Sequence, residues 1–267
     1  MSQNSALSNF LSGLSSTRDD LPIAFIAYLA ALDQVASVSP EVAKAIVKEL
    51  TDQSNSLKMI ASENYSSIAV QLAMGNLFTD KYAEGHPYHR FYAGCDNVDT
   101  VEGRAVDLAK ELFDADHAYV QPHSGADANM VAYWAILNSR VQTPFMERLQ
   151  QTDPSKLSNT DWTELRNSLG KQRLLGMNYY SGGHLTHGYR LNMSSRMFVA
   201  ESYDVNRDSH LIDYEAIRDH AKRFKPLILL AGYSAYPRKI DFRAFRDIAD
   251  EIGAVLMVDM AHFAGLV

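Results

Sequence analysis

The run Ala254-Val255-Leu256-Met257-Val258 is followed at once by Asp259, then by Met260-Ala261-His262. Five apolar residues behind Gly253 read as a strand buried on both faces, with the glycine ending the helix before it. Strands of that kind belong to parallel sheets covered by helices on either side. An acid at the carboxyl end of one points into the crevice where open α/β sheets bind ligands. The same grammar runs upstream. Short apolar runs at 118–120, 197–200 and 227–231 predict strands, as does 173–177, apolar after Arg173. Helices are predicted at 126–138, at 214–224 capped by Asp213, and at 242–252 capped by Asp241. Strand and helix in alternation predict an α/β fold with a mainly parallel sheet and helices on both faces.

The amino-terminal part reads differently. Residues 1–17 are rich in Ser and Asn with no sustained period, which predicts a mobile leader. Residues 21–32 are almost wholly apolar but too short to span a membrane, and Arg18-Asp19-Asp20 before them lacks the positive charge of an export signal. That segment predicts a helix packed on another surface, such as a second subunit. Ser39-Pro40 opens a further helix through Val42, Ile46, Val47 and Leu50, with Ser as cap and Pro at the first helical position. From Asn97, apolar residues every three or four positions to Leu112 predict one more. Residues 141–173 are polar and break the rhythm, so they are expected as an inserted surface excursion with a short helix near 161–169. The expected organisation is a leader and helical arm over 1–60 and one large ligand-binding domain over 61–267.

With 267 residues and a net charge of −7 carried on dispersed groups, nucleic-acid and anionic-membrane surfaces are disfavoured, while a local phosphate pocket is not. Cys95 is the single cysteine. It excludes an intrachain disulfide and a thiolate metal cluster, and fits a reducing cytoplasm.

Four motifs fall at strand ends or in irregular segments. Gln121-Pro122-His123-Ser124-Gly125-Ala126 joins a strand to a helix, so Ser124 and the backbone at Gly125 and Ala126 can hold a phosphate at the helix amino terminus. The same turn also reads as an ordinary serine cap. Ser181-Gly182-Gly183-His184-Leu185-Thr186-His187-Gly188 has two glycines that admit a close ligand and a histidine able to lie on an aromatic ring. The His184 and His187 pair also suits a metal, although no further ligand set with suitable spacing is evident, and none is assigned. Lys81-Tyr82-Ala83-Glu84-Gly85-His86-Pro87 and Arg90-Phe91-Tyr92 are dense in groups suited to proton transfer, or are solvated loops. Tyr233-Ser234-Ala235-Tyr236 adds a hydroxyl at the same sheet edge.

Taken in order, KYAEGHP, HSGADAN, GGHLTHG, YSAY and VDMAHFAGLV resemble serine hydroxymethyltransferase, from about Ile60 to Val267. The resemblance implies the pyridoxal-phosphate fold of the aspartate aminotransferases and interconversion of serine and glycine with transfer of the hydroxymethyl carbon to tetrahydrofolate. It implies that Asp259 pairs with the pyridine nitrogen of pyridoxal 5'-phosphate, that His184 stacks on its ring, and that Ser124, Gly125 and Ala126 hold its phosphate. Ser234 and His262 match the O3′ side. Glu84 matches a catalytic glutamate, Tyr82 and Tyr92 match tyrosines around cofactor and substrate, and Ser62 a contact of the substrate carboxylate. Tyr179, Gly183, His184 and Leu185 match the folate side. A homodimer in the cytoplasm is implied as well.

Three departures accompany the likeness. Ala126 stands where a second phosphate-binding serine is common, so only a backbone N–H is offered there. Tyr179 replaces an aliphatic residue near the folate. The lysine that the family bonds to the cofactor follows VDMAH, and the sequence stops at Val267 before it. The expectation is therefore an amino-terminal portion, inactive alone. The competing readings are another pyridoxal-phosphate lyase or aldolase of the same fold, and a non-catalytic module that regulates a full-length partner.

Overall fold

A computed structural model describes residues 5–13 and 22–267. Residues 1–4 and 14–17 of the expected leader, and the run Arg18-Asp19-Asp20-Leu21, lie outside the described residues. Two compact units are present, Met1–Arg104 and Ala105–Val267.

The first unit is helical with one small hairpin. Its helices are α1 (Ala6–Ser12), α2 (Ile23–Val38), α3 (Pro40–Asn55) and α4 (Ile68–Met74). The hairpin pairs β1 (Gly85–His86) with β2 (His89–Arg90). Part of the expected leader is thus helix. Ser5 caps α1 by accepting the Ser8 N–H at 2.9 Å, and Asp33 of α2 accepts the N–H groups of Ala6 and Leu7 at 2.9 and 3.1 Å. Phe10 meets Phe25 edge-on at 5.0 Å. The Ser5 cap is local, but the next two amino-terminal N–H groups are held by a carboxylate 27 and 26 residues away, which no local pattern shows. Ser39 takes the cap position of α3, with Pro40 behind it, although its side chain makes no capping bond.

The helix α5 (Asp96–Phe113) carries the chain from the first unit into the second. There follow α6 (Gly125–Leu137), α7 (Thr143–Arg148), α8 (Asn159–Gly170), β3 (Arg173–Met177), α9 (Ser194–Met197) and β4 (Val199–Tyr203). The chain continues through α10 (Tyr214–Phe224), β5 (Ile228–Gly232), α11 (Phe242–Ile252) and β6 (Val255–Asp259). Asp213 and Asp241 cap α10 and α11 by accepting the N–H groups of Ala216 and Ala244, each at 3.0 Å.

Four parallel strands form one sheet in the order β4-β3-β5-β6. Alternate residues feed two cores. Leu175, Met177, Leu229 and Ala231 pack with Ile217, Ala221, Phe245 and Ile248 of α10 and α11. Leu174, Ile228 and Leu230 pack on the other face with Tyr133, Leu137 and Phe198. The connection leaving β3 covers this second face, whereas that leaving β5 covers the first. Neighbouring strands whose connections part to opposite faces leave a crevice at their carboxyl ends. Met177 pairs with Tyr203 and Gly232 with Asp259, so all four strands end near one level.

Four sequence expectations need correction. The strand expected at 254–258 is not buried on both faces: β6 lies at the edge of the sheet with Val258 exposed, because only β5 pairs with it among the described residues. The strand expected at 197–200 begins only at Val199, since Met197 closes the short helix α9, and it runs on to Tyr203 through the ladder with β3. Residues 118–120 form no strand and belong to neither sheet among the described residues. Three residues make a strand only when a neighbour supplies ladder bonds, and the side-chain pattern alone cannot supply that neighbour. Residues 141–173 are not merely a surface excursion. Phe145, Met146 and Leu165 are buried, with Leu165 at 0% exposure, and Val141 and Leu169 pack against the second core. Its helix α8 starts at the Ser158 cap, which accepts the Asp161 N–H at 3.1 Å.

Candidate active site

The carboxyl end of β6 presents Asp259, and three donors converge on it. His187 Nε2 lies 2.9 Å from Oδ2, Asn129 Nδ2 donates to Oδ2 at 2.9 Å, and the Ala261 N–H donates to Oδ1 at 3.1 Å. Burial alone pushes this carboxyl up. The bonds from His187, Asn129 and Ala261 more than offset it and hold Asp259 well below the ordinary carboxylate range. Asp259 is therefore an anion with an acceptor lone pair on Oδ1 still to fill.

The donors are themselves fixed. His187 Nδ1 accepts the His184 N–H at 3.2 Å, which leaves the ring proton on Nε2, facing Asp259. Asn129 also donates to Thr186 Oγ1 at 2.7 Å, and the Tyr133 hydroxyl donates to the Thr186 carbonyl at 2.6 Å. Thr186 Oγ1 sits 2.8 Å from His184 Nδ1, which also accepts the Thr186 N–H at 3.2 Å. His184 consequently carries its proton on Nε2. Burial, then the neighbouring His187, lower its pKa and favour the neutral ring. Asn129, Tyr133 and Thr186 were not singled out from the sequence. The available signals were that Asn129 and Thr186 fall within the HSGADAN and GGHLTHG motifs, and that Asn129 follows the Ser124 cap by five residues, a little over one turn along the same helix.

The same helix brings its amino terminus to this end of the sheet. Ser124 caps α6 by accepting the Asp127 N–H at 3.1 Å, and Gly125 and Ala126 lie exposed in the first turn, where helical N–H groups have no intrahelical acceptor. Two further observations suit a bound polar group. Ser234 Oγ and His262 Nδ1 are buried and lack hydrogen-bond partners, as does Arg218 Nε among the described residues. Ser234 and His262 are the residues matched to the O3′ side of the cofactor. An anion-binding helix terminus, a carboxylate with a free lone pair and two orphaned buried atoms fit pyridoxal phosphate.

The glycines of the 181–188 loop are also needed for close approaches of backbone to backbone. A Cβ on Gly183 would meet the Met177 carbonyl at 2.1 Å, and one on Gly182 the Tyr236 nitrogen at 2.6 Å. The N–H groups of Ser234 and Ala235 donate to the Gly182 carbonyl at 2.7 and 3.0 Å. Gly182 thus docks the loop after β3 against the loop after β5, backbone to backbone, and so seats Ser234, while Gly183 folds its own loop back onto the end of β3. Of the residues matched to the folate, Gly183 is buried, whereas Tyr179 and Leu185 are exposed and Tyr179 packs on Tyr189 at 5.1 Å. His184, His187 and Asp259 offer ligand atoms within 4.8 Å of one another, a trio invisible in the sequence spacing. Hydrogen bonds already engage both His187 nitrogens and His184 Nδ1, so a cation there would have to break them.

The sequence pattern of the family described as serine hydroxymethyltransferase matches residues 35–150 and 150–267. The chain belongs to the serine hydroxymethyltransferase family. It is similar to a serine hydroxymethyltransferase of Treponema pallidum (strain Nichols), 60% identical over 264 residues, which are 99% of this chain and 46% of that protein. A serine hydroxymethyltransferase of Mycolicibacterium smegmatis is 60% identical over 241 residues, 90% of this chain and 49% of that protein. One from Chlamydia abortus is 49% identical over 264 residues, 98% of this chain and 53% of that protein. The chain thus spans about half the length of the curated relatives it matches. The other residues matched to serine hydroxymethyltransferase function, Ser62, Tyr82, Glu84 and Tyr92, lie in the first unit, and all four are exposed.

Proposed function

We propose that this chain supplies the cofactor-binding part of an enzyme of the aspartate-aminotransferase fold that interconverts serine and glycine and passes the hydroxymethyl carbon to tetrahydrofolate. The observation that carries the reading is Asp259, an anion fixed by three donors with one lone pair to spare. When bound, pyridoxal phosphate would supply an electron sink for charge developing at the substrate Cα, provided its ring nitrogen stays protonated. Asp259 is the group that holds that proton in place. A carboxylate well below its usual range remains charged across the neutral region, so Asp259 would offer the ring nitrogen an anion throughout it.

The remaining residues bind and orient. Ser124 and the backbone at Gly125 and Ala126 hold the phosphate at the amino terminus of α6. His184, neutral and with a fixed tautomer, offers its ring face. Ser234 and His262, each with a buried atom that lacks a partner, would lie on the O3′ side of the cofactor. Ser62 and Tyr92 are assigned to the substrate and Tyr82 to the cofactor. Glu84 is assigned to proton transfer near the substrate hydroxyl, and Tyr179, Gly183, His184 and Leu185 to the folate. A homodimer in the cytoplasm accompanies this reading; no described helix is long and apolar enough to cross a membrane.

Serine cleavage by the whole enzyme of which this chain is a part, measured with and without tetrahydrofolate, tests the assignment. Glycine formation that accelerates strongly with tetrahydrofolate supports it. Cleavage indifferent to tetrahydrofolate would indicate a folate-independent lyase of the same fold.

A further inference from the structure

Glu84 stands directly before the hairpin of β1 and β2, and the peptide on both sides of it is gripped by one side chain. Arg90 Nη1 donates to the Ala83 carbonyl at 2.8 Å and to the Gly85 carbonyl at 3.1 Å. Between them, the Glu84 carbonyl accepts the Phe91 N–H at 3.0 Å. Three successive carbonyls are thereby tied down while the Glu84 side chain stays exposed. Arg90 is itself locked. Its side chain is 4% exposed, with Nε on Asp99 at 2.8 Å and Nη2 on Glu102 at 2.6 Å. Those two acids lie three residues apart on α5, hence on one helix face. Tyr82 and Tyr92, flanking the hairpin, meet edge-on at 5.4 Å.

We infer that Arg90 is a positioning residue for Glu84, transmitting the rigidity of α5 to the one loop that presents the proton-transfer group. The inference rests on the assignment of Glu84 above. Only a planar guanidinium has donors at the angles needed to reach two carboxylates and two carbonyls together; an ammonium concentrates its three donors on one atom. Lysine at this position would retain the charge and lose the clamp. Small errors in the placement of a reacting group are costly: a displacement of about 1 Å can cost about 100-fold in rate.

The test compares Arg90→Lys, Glu84→Gln and the double variant in the cofactor-loaded enzyme, following folate-dependent serine cleavage. Arg90→Lys is expected to lower kcat by roughly 10- to 100-fold with little change in the KM for serine or in glycine affinity. In the double variant the Arg90 substitution should add nothing, because the group it positions no longer transfers a proton. Full kcat in Arg90→Lys, or a double variant slowed by the product of the two single effects, overturns the positioning role alone. Undiminished turnover in Glu84→Gln overturns the Glu84 assignment and the positioning role with it. Should Arg90→Lys fold poorly, Asp99→Asn keeps the arginine and removes one of its two anchors. It is then expected to give a smaller kcat loss with the same absence of additivity, and additive behaviour there counts against the role equally.

Discussion

His187 Nε2 and Asp259 Oδ2 lie 2.9 Å apart across 72 residues of sequence, with side chains 0% and 12% exposed. The bond joins the loop after β3 to the end of β6. It makes Asp259 a fixed anion instead of a mobile surface acid. Whatever binds at the crevice meets a charge whose position the fold has already set.

Removing the donor exposes what it contributes. His187→Ala leaves the buried carboxylate one hydrogen bond short and is expected to cost about 1–3 kcal/mol of stability. Urea denaturation at neutral pH measures this, and an unchanged midpoint would mean the bond is energetically idle. The pH dependence has a definite sign. The carboxyl of Asp259 is lowered by folding, so its contribution is fully present above its unfolded value and fades as pH falls from about 4 toward the folded value. Between pH 6 and pH 3, Asp259→Asn should therefore lose less stability than the unsubstituted chain.

The segment 141–173 gives an independent stability test. Leu165 is fully buried, and its truncation to alanine removes apolar contacts and leaves a cavity, at an expected cost of about 2–5 kcal/mol. Replacing the whole segment with a short Gly/Ser link should destabilise the second unit by exposing the core that Val141 and Leu169 cover. Thermal unfolding checks both. A deletion as stable as the parent would return the segment to the status of a surface excursion.

Much of the sheet was legible because its signals are local. Asp213 and Asp241 mark helix starts within the residues they cap, 227–231 and 254–258 are wholly apolar runs, and 173–177 is apolar after Arg173. Failures occurred where a decisive partner is distant in sequence. Beyond its local Ser5 cap, α1 has two amino-terminal N–H groups held by Asp33, and a strand at 118–120 depends on a neighbour that no local pattern specifies. In the site, the acid and the helix terminus were readable from their places at element ends. The hydrogen-bonded shell was not. Asn129 looks like any polar residue in the first turns of a helix until the fold sets it against Thr186 and Asp259. The glycines at 182 and 183 were legible as close approaches, but the approaching group proved to be backbone.

Glu84 separates binding from chemistry. Glu84→Gln preserves shape while abolishing proton exchange, so folate-dependent serine cleavage should fall on the order of 10²–10⁴-fold. Glycine affinity, read by titration, should change far less. Equal losses in turnover and affinity would make Glu84 a binding residue.

The most direct measurement concerns Asp259 itself. In the cofactor-loaded enzyme, Asp259→Asn keeps the size of the side chain but cannot hold a positive charge on the ring nitrogen. Pyridoxal phosphate titrated into this variant should still bind, through the terminus of α6 and the ring contacts, but more weakly. Serine-to-glycine turnover should collapse at saturating cofactor. Turnover close to that of the unsubstituted enzyme, once the variant is saturated with pyridoxal phosphate, would contradict the assignment of Asp259 and with it the proposed function of the site.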